Sequence, residues 1–345
     1  MNIRLTEFSH GGGCGCKIAP AVLSRLLAAS PLRALPAALM VGTETSDDAA
    51  VWKLNDEQAI VATTDFFTPI VDDPFDFGRI AATNALSDVY AMGATPLFAL
   101  ALVGMPLDKL PEEVIQRILA GGESVCAAAG VPIAGGHSID VLEPIYGLVA
   151  IGLVHPKLVK RNSAAQAGDV LILGKPLGVG ILSAALKKGQ LSTAGYAAMM
   201  DCTTRLNTPG PRLAALPGVH AMTDVTGFGL AGHLLEMCRG AGLAAELNFA
   251  AIPVIAEALT HVQSGIATGA STRNWSGYGH EVKLLPQCPE WKGKLLSDPQ
   301  TSGGLLVACK ADNAAQVLEI FRQDGFAEAA IIGSLHAGAP GISVL

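Results

Sequence analysis

The stretch Phe75-Asp76-Phe77-Gly78-Arg79-Ile80-Ala81-Ala82-Thr83-Asn84-Ala85-Leu86-Ser87-Asp88-Val89-Tyr90-Ala91-Met92, closed by Gly93, decides how the fold is read. Its apolar residues recur at helical spacing and a glycine stops it, which predicts a helix over 75–92. A strand-like run, 58–63, precedes it and another, 97–103, follows. The order continues through a helix over 111–129, ended by Gly130, and through apolar runs at 131–134 and 145–154. Such alternation predicts an α/β fold (α+β type). Inside the first helix, Asn84 and Asp88 are four apart and share a face, interrupting the apolar Ala81, Ala82, Ala85 and Leu86.

At 345 residues the chain exceeds what one core usually supports, so two domains are expected. The text turns polar between 155 and 168, and the boundary is set there, giving 21–156 and 157–345 behind a glycine-rich arm, 1–20. The second half restarts with the strand-like Asp169 to Gly174, the turn Lys175 to Gly180 and a helix-like 181–187. That turn could hold an anion at a helix N-terminus, but it lacks the Lys-Ser/Thr ending of a phosphate loop, and tight turning is the commoner role.

Half the residues are hydrophobic and 15% are charged, enough to bury a sizeable core. The formal charge of −7 comes without a long basic run, which argues against nucleic acid or an anionic membrane as partner. The most apolar stretches, 97–105 and 145–154, are too short to span a bilayer. No apolar signal core opens the chain, which predicts a cytoplasmic home. Seven scattered cysteines do not suggest a disulfide framework, and Cys126, Cys238 and Cys309 read as core thiols.

The arm itself reads His10-Gly11-Gly12-Gly13-Cys14-Gly15-Cys16-Lys17 and ends where Pro20 opens an apolar, helix-like run. So many glycines cost conformational entropy when ordered, so the backbone there must bend or approach something closely. A lid bearing a thiol fits, with Lys17 favouring a thiolate at Cys14 or Cys16 and suiting a phosphate oxygen. A loose chain end with two neighbouring cysteines is the plainer alternative.

Aspartates gather at the ends of apolar runs: Thr45-Ser46-Asp47-Asp48, Thr64-Asp65 and Thr223-Asp224-Val225-Thr226-Gly227-Phe228-Gly229. Loops at strand ends are where α/β proteins place binding groups. Taken singly, each aspartate is ordinary capping or turn chemistry. Together with Asn84 and Asp88 they form a set of hard oxygen donors suited to Mg²⁺ ions around a nucleotide triphosphate. Two glycine segments, 134–138 with His137 and 298–304, offer amides that can bind phosphate oxygens.

In this order, these segments resemble selenophosphate synthetase (selenide, water dikinase), and the resemblance spans nearly the whole chain. The Cys14-Gly15-Cys16-Lys17 arm separates that family from relatives sharing only the ATP fold. The resemblance implies a two-domain architecture like aminoimidazole ribonucleotide synthetase, with the N-terminal domain pairing across a homodimer. It also implies conversion of ATP, selenide and water to selenophosphate, AMP and orthophosphate, with Mg²⁺ required. By the same resemblance Cys14 is the catalytic cysteine and Lys17 the essential lysine beside it. Asp48, Asp88 and Asp224 match metal ligands. Thr45, Ser46, Asp47, Asp65, Gly136, His137 and Ser138 match nucleotide contacts, with Lys17 and Asp88 near the nucleotide as well. A selenium-delivery protein is the further partner it admits.

Two other readings use the same residues. A cyclo-ligase or small-molecule kinase of the same superfamily would explain the aspartates and leave the cysteine arm idle. A selenium or metal carrier would use Cys14 and Cys16 as ligands, although two thiols do not close a tetrahedral zinc site.

Overall fold

The structure is a computed structural model that describes residues 3–9, 11–18, 22, 26, 36–42 and 46–345. Apart from residues 22 and 26, the helix-like run expected after Pro20 lies outside the described residues, as does Thr45.

The first half forms a six-stranded sheet in the order β1-β2-β3-β6-β4-β5. Its strands are β1 (Leu39–Val41), β2 (Ala50–Lys53), β3 (Ala59–Phe67), β4 (Thr95–Met105), β5 (Ile133–Asp140) and β6 (Ile145–Val154). Every pairing is antiparallel except β4 with β5. Helices α1 (Pro74–Ala91) and α2 (Glu112–Ala128) connect the later strands. Asp73 caps α1 by accepting the Asp76 N–H, Pro74 occupies its first turn, and Gly93 ends it at φ 78°. The two helices approach so closely that a Cβ on Gly78 would lie 1.9 Å from the Ile118 carbonyl oxygen.

The second half forms a seven-stranded sheet that runs from Val282–Lys283 through Gly341–Val344, Leu243–Leu247 and Ala330–Ala337 to β7, β11 and β8. Its members that bear on the site are β7 (Asp169–Leu173), β8 (Val219–Asp224) and β11 (Leu305–Lys310), packed by α3 (Val179–Lys187) and α6 (Gly229–Ala241). Between them run α4 (Thr193–Thr204) and α5 (Gly210–Ala214), and α8 (Gly269–Tyr278) lies beyond α7 (Ala256–Gln263).

Helix α1 is the hinge of the architecture. From Phe77 to Ala91 nearly every residue is buried, because one side faces the first sheet and the other meets α4, α5 and β8 of the second half. A helix enclosed on both sides needs apolar residues nearly all round, and this one has them. Asn84, Ser87 and Asp88 are its buried polar residues on the face toward the second half, and each has a partner to satisfy. With mixed and antiparallel sheets in both halves, the expected α/β class of α+β type is what the chain adopts. Among the described residues no helix is long and apolar enough to cross a membrane.

Candidate active site

The arm is seated. Gly13–Cys16 form a single 3₁₀ turn, the Gly13 N–H donates to the Thr68 carbonyl at 2.9 Å, and Thr68 Oγ1 donates to the Gly11 carbonyl. The Cys14 N–H donates to Thr301 Oγ1 at 2.9 Å, and its Sγ donates to Asn84 Oδ1 at 3.2 Å. Cys14 is therefore 1% exposed. Glycine is required at 13, where φ is 55° and a Cβ would fall 2.3 Å from Thr301 Oγ1.

Seating changes the thiol chemistry expected from sequence. Burial pushes the Cys14 thiol well above its usual range, and the nearby Lys17 ammonium offsets only part of this. In this arrangement Cys14 is a neutral thiol. Lys17 Nζ instead pairs with Asp65 Oδ2 at 2.9 Å. Burial works against the Lys17 charge, but Asp65, with Asp88, holds it well above the ordinary lysine value.

Three chain segments bring acids toward that pair. Asp65 lies on β3, Asp88 on the inner face of α1 and Asp224 at the end of β8, all buried, while Asp48 is half-buried before β2. Thr63 donates to Asp88 Oδ2, and Thr223 Oγ1 of the second half donates to Asp48 Oδ1 at 2.8 Å. Ser87 donates to the Asp224 carboxylate and receives the Asn207 amide at 2.7 Å. Burial raises Asp48, Asp88 and Asp224 above the usual carboxylate range; Asp224 repels both of the others, and Asp88 repels Asp48. Asp65, Asp88 and Asp224 thus act on one ammonium, and Asp48 is coupled to them through Asp88 and Asp224.

The donor set suits a hard cation. Oδ2 of Asp48 and Oδ2 of Asp224 are shut off from solvent with no hydrogen-bond partner among the described residues, and a buried carboxylate oxygen left so is costly. A divalent ion there would satisfy these oxygens and cancel the repulsion. Among the described residues no three of His, Cys, Asp or Glu converge tightly enough to hold an ion alone. Such an ion would need further oxygens, and phosphate or water is the usual source.

The loop before β2 is held by residues the sequence reading passed over. The Asn162 N–H donates to Asp47 Oδ1 at 2.7 Å, and Asn162 Nδ2 donates to the Ser46 carbonyl at 3.1 Å. Ser46 adopts φ 52°, a conformation that a serine keeps only when its surroundings impose it. Ser302, at φ 58°, is held likewise: its N–H donates to Asn84 Oδ1 at 2.7 Å, and its carbonyl accepts from Lys175 Nζ at 2.8 Å. Nothing local marks Asn162, whereas Lys175 could have been noticed as a lone cation between two apolar runs.

Two expectations are corrected. Segment 134–138 is not a phosphate turn following a strand, because it lies within the edge strand β5. Gly136 is needed where a Cβ would sit 2.1 Å from the Ala101 carbonyl oxygen of β4. Gly136, His137 and Ser138 are exposed there, and β6 and β4 separate them from Asp65 on β3, roughly 14 Å at ordinary strand spacing. The structure does not bring these three residues into the carboxylate cluster. Segment 298–304 spends several of its amides within the fold: the Gln300 N–H goes to the Thr226 carbonyl and the Gly303 N–H to the Gln300 carbonyl. The turn before α3 is closed to anions in the same way, since the Gly178 and Val179 amides both donate to Gln300 Oε1 and the Ile181 amide to Asp298 Oδ2.

Residues 46–154 match the family described as AIR synthase related protein, N-terminal domain, and residues 166–344 match AIR synthase related protein, C-terminal domain. The chain is 66% identical over 341 residues to a selenide, water dikinase of Burkholderia ambifaria, with 99% of this chain and 96% of the relative covered. A selenide, water dikinase of Pseudomonas straminea is 65% identical over 343 residues, at 99% and 96% coverage. Among solved structures, thiamine-monophosphate kinase from Stenotrophomonas maltophilia superposes with a TM-score of 0.64 at 19% identity, over 95% of this chain and 96% of that one. The last likeness shows the fold alone.

Proposed function

The chain belongs to the selenide, water dikinase family, and from that membership we propose how its residues divide the work. It is an ATP-dependent enzyme that makes selenophosphate from selenide and water, releasing AMP and orthophosphate. Phosphoryl transfer needs charge neutralisation and positioning more than covalent help. The acids Asp48, Asp88 and Asp224 would hold Mg²⁺, which when bound supplies positive charge against a polyphosphate.

The chain's own groups do the rest. Lys17, fixed by Asp65, presents an ammonium beside the acids and is a protein cation that can serve a phosphate oxygen. Asp65, Asp47 and Ser46 bound the nucleotide position in this reading, together with Thr45 and with Asp88, which serves both metal and nucleotide. Cys14 handles the selenium and does not attack phosphorus, because thiolate softness matches selenium while phosphate is served by hard donors. Seated against Asn84 and Thr301, the arm covers the pocket and keeps water from the first transfer. With the Cys14 sulfur buried, a selenium-delivery protein reaches it only when the arm lifts.

We place the enzyme in the cytoplasm as a homodimer. Support for the dimer comes from β5, an edge strand paired on one side only, with Ile139 and Leu142 exposed nearby. In this reading Gly136, His137 and Ser138 serve a nucleotide across the assembled dimer, since their own cluster lies apart.

The observation that carries this reading is the Lys17–Asp65 pair, which ties the cysteine turn to the acidic cluster at 2.9 Å. The test is anaerobic incubation of the purified chain with ATP, Mg²⁺ and selenide, followed by ³¹P spectroscopy. AMP, orthophosphate and selenophosphate together are expected; ADP as the sole nucleotide product would overturn it.

A further inference from the structure

Beside the arm lies a cavity of about 280 Å³ that none of Lys17, Asp48, Asp65, Asp88 and Asp224 lines. Its charged lining residues are Lys187, Lys188 and Arg273, and no carboxylate lines it among the described residues. In a chain of formal charge −7, three cations converging without an acid set a local field opposite to the net charge. The nearest acids are taken up elsewhere. Asp72 accepts from Arg4 and from the Thr6 hydroxyl, and Asp298 is fully buried behind Gly180.

A buried residue with an unsatisfied hydroxyl forms part of the wall. Ser9 is 7% exposed, lines the cavity, and its Oγ has no hydrogen-bond partner among the described residues. The first turn of α8, from Thr268, also lines the cavity, and a helix N-terminus favours negative charge. Lys187 Nζ uses one proton on the Ser9 carbonyl at 3.3 Å, and Arg273 uses one on the Gly15 carbonyl at 3.1 Å. Their remaining donors are available to a ligand.

We propose that this cavity binds a small phosphorus oxyanion. Lysine ammonium, guanidinium and hydroxyl donors together match a tetrahedral oxyanion better than a soft, spherical chalcogenide. Selenophosphate and orthophosphate, two of the three anionic products of the reaction proposed above, belong to that class, so the assignment of an occupant rests on that reading, while the site itself does not. A ligand here touches the arm at Ser9, Gly11, Gly12 and Gly15 and the second half at Lys187, Lys188 and Arg273. It therefore fastens the arm down over Cys14, from which Thr301 and the arm backbone separate it.

Calorimetric titration of the intact protein with orthophosphate, its catalytic pocket filled with Mg²⁺ and a non-hydrolysable ATP analogue, tests the site without turnover. Saturable binding is expected, weakened about tenfold or more in the Lys187→Ser, Lys188→Ser double variant. These lysines are exposed, so folding is not at stake. Thiophosphate stands in for selenophosphate, and the tighter of the two probes identifies the product held. Orthophosphate should also slow alkylation of Cys14 in the unsubstituted chain and not in the double variant. Absence of saturable binding by both probes, equal binding by the double variant, or binding of sulfide in place of either phosphate would overturn the proposal. Failure of selenophosphate synthesis would leave these titrations unaffected, so the two readings fail separately.

Discussion

Cys14 Sγ lies 3.2 Å from Asn84 Oδ1, and the same oxygen accepts the Ser302 N–H at 2.7 Å. One amide on the central helix therefore joins the glycine-rich arm to a strained turn of the second half. Asn84 is fully buried, so neither bond exchanges with water. Asn84→Ala should strand the Ser302 amide and release the thiol. The expected cost is about 1–3 kcal/mol in urea unfolding, together with faster alkylation of Cys14 followed by mass spectrometry.

Lys17 is the ammonium facing the acids, and its role differs from that of the thiol. Lys17→Met should lower kcat/KM for selenophosphate formation by on the order of 10²-fold or more, as expected when a preorganised cationic donor is removed. The arm should remain seated, because its anchors at Thr68, Thr301 and Asn84 do not involve Lys17. Unchanged Cys14 alkylation with reduced turnover is the expected pairing.

Thr223 reaches from the second half to orient Asp48. Thr223→Val keeps the shape and removes the donor, leaving another buried carboxylate oxygen unpaired. Mg-ATP affinity measured by calorimetry should fall about tenfold, in keeping with the 10–100-fold losses seen when groups that orient metal ligands are removed. Equal affinity in the variant would separate Asp48 from the nucleotide site.

Burial pushes Lys175 down from 10.5 to about 8. Between those values the unfolded chain binds a proton that the folded chain lacks, so stability rises with pH across this window and the full penalty applies below it. The slope approaches about 1.4 kcal/mol per pH unit at most. Lys175→Met should be less stable at high pH, since the Arg205 and Ser302 carbonyls lose their donor, yet it should lack this rise. Urea midpoints of both chains between pH 7.5 and 10 check the difference in slope.

Much of the scaffold was legible because local chemistry marks it. The strand over 145–154 falls where its apolar run does, and the helices end before Gly93 and Gly130, both of positive φ. The acids were legible as a set because most stand near the ends of apolar runs and Asp88 interrupts an apolar helix face. What stayed hidden was decided across the chain. Glycines 135 and 136 read as a turn, yet they sit in a strand because β4 presses against them. Amides at 298–304 read as open to phosphate and the turn at 175–180 chiefly as a tight turn; Gln300, Thr226 and Asp298 consume several of the amides in both. Asn162 and Thr301 carry no local signal, since their partners Asp47 and Cys14 lie 115 and 287 positions away. The thiol pKa reversed for the same reason: proximity of Lys17 is written in the sequence, but the burial that outweighs it is not.

The central claim is that the arm thiol and the acidic cluster are two parts of one site with different tasks. Cys14→Ser, assayed anaerobically with ATP, Mg²⁺ and selenide, tests it most directly when selenophosphate is followed by ³¹P spectroscopy and Mg-ATP binding by calorimetry on the same preparation. The account predicts Mg-ATP affinity close to that of the unsubstituted chain with no selenophosphate formed. Selenophosphate produced at the unsubstituted rate would contradict it.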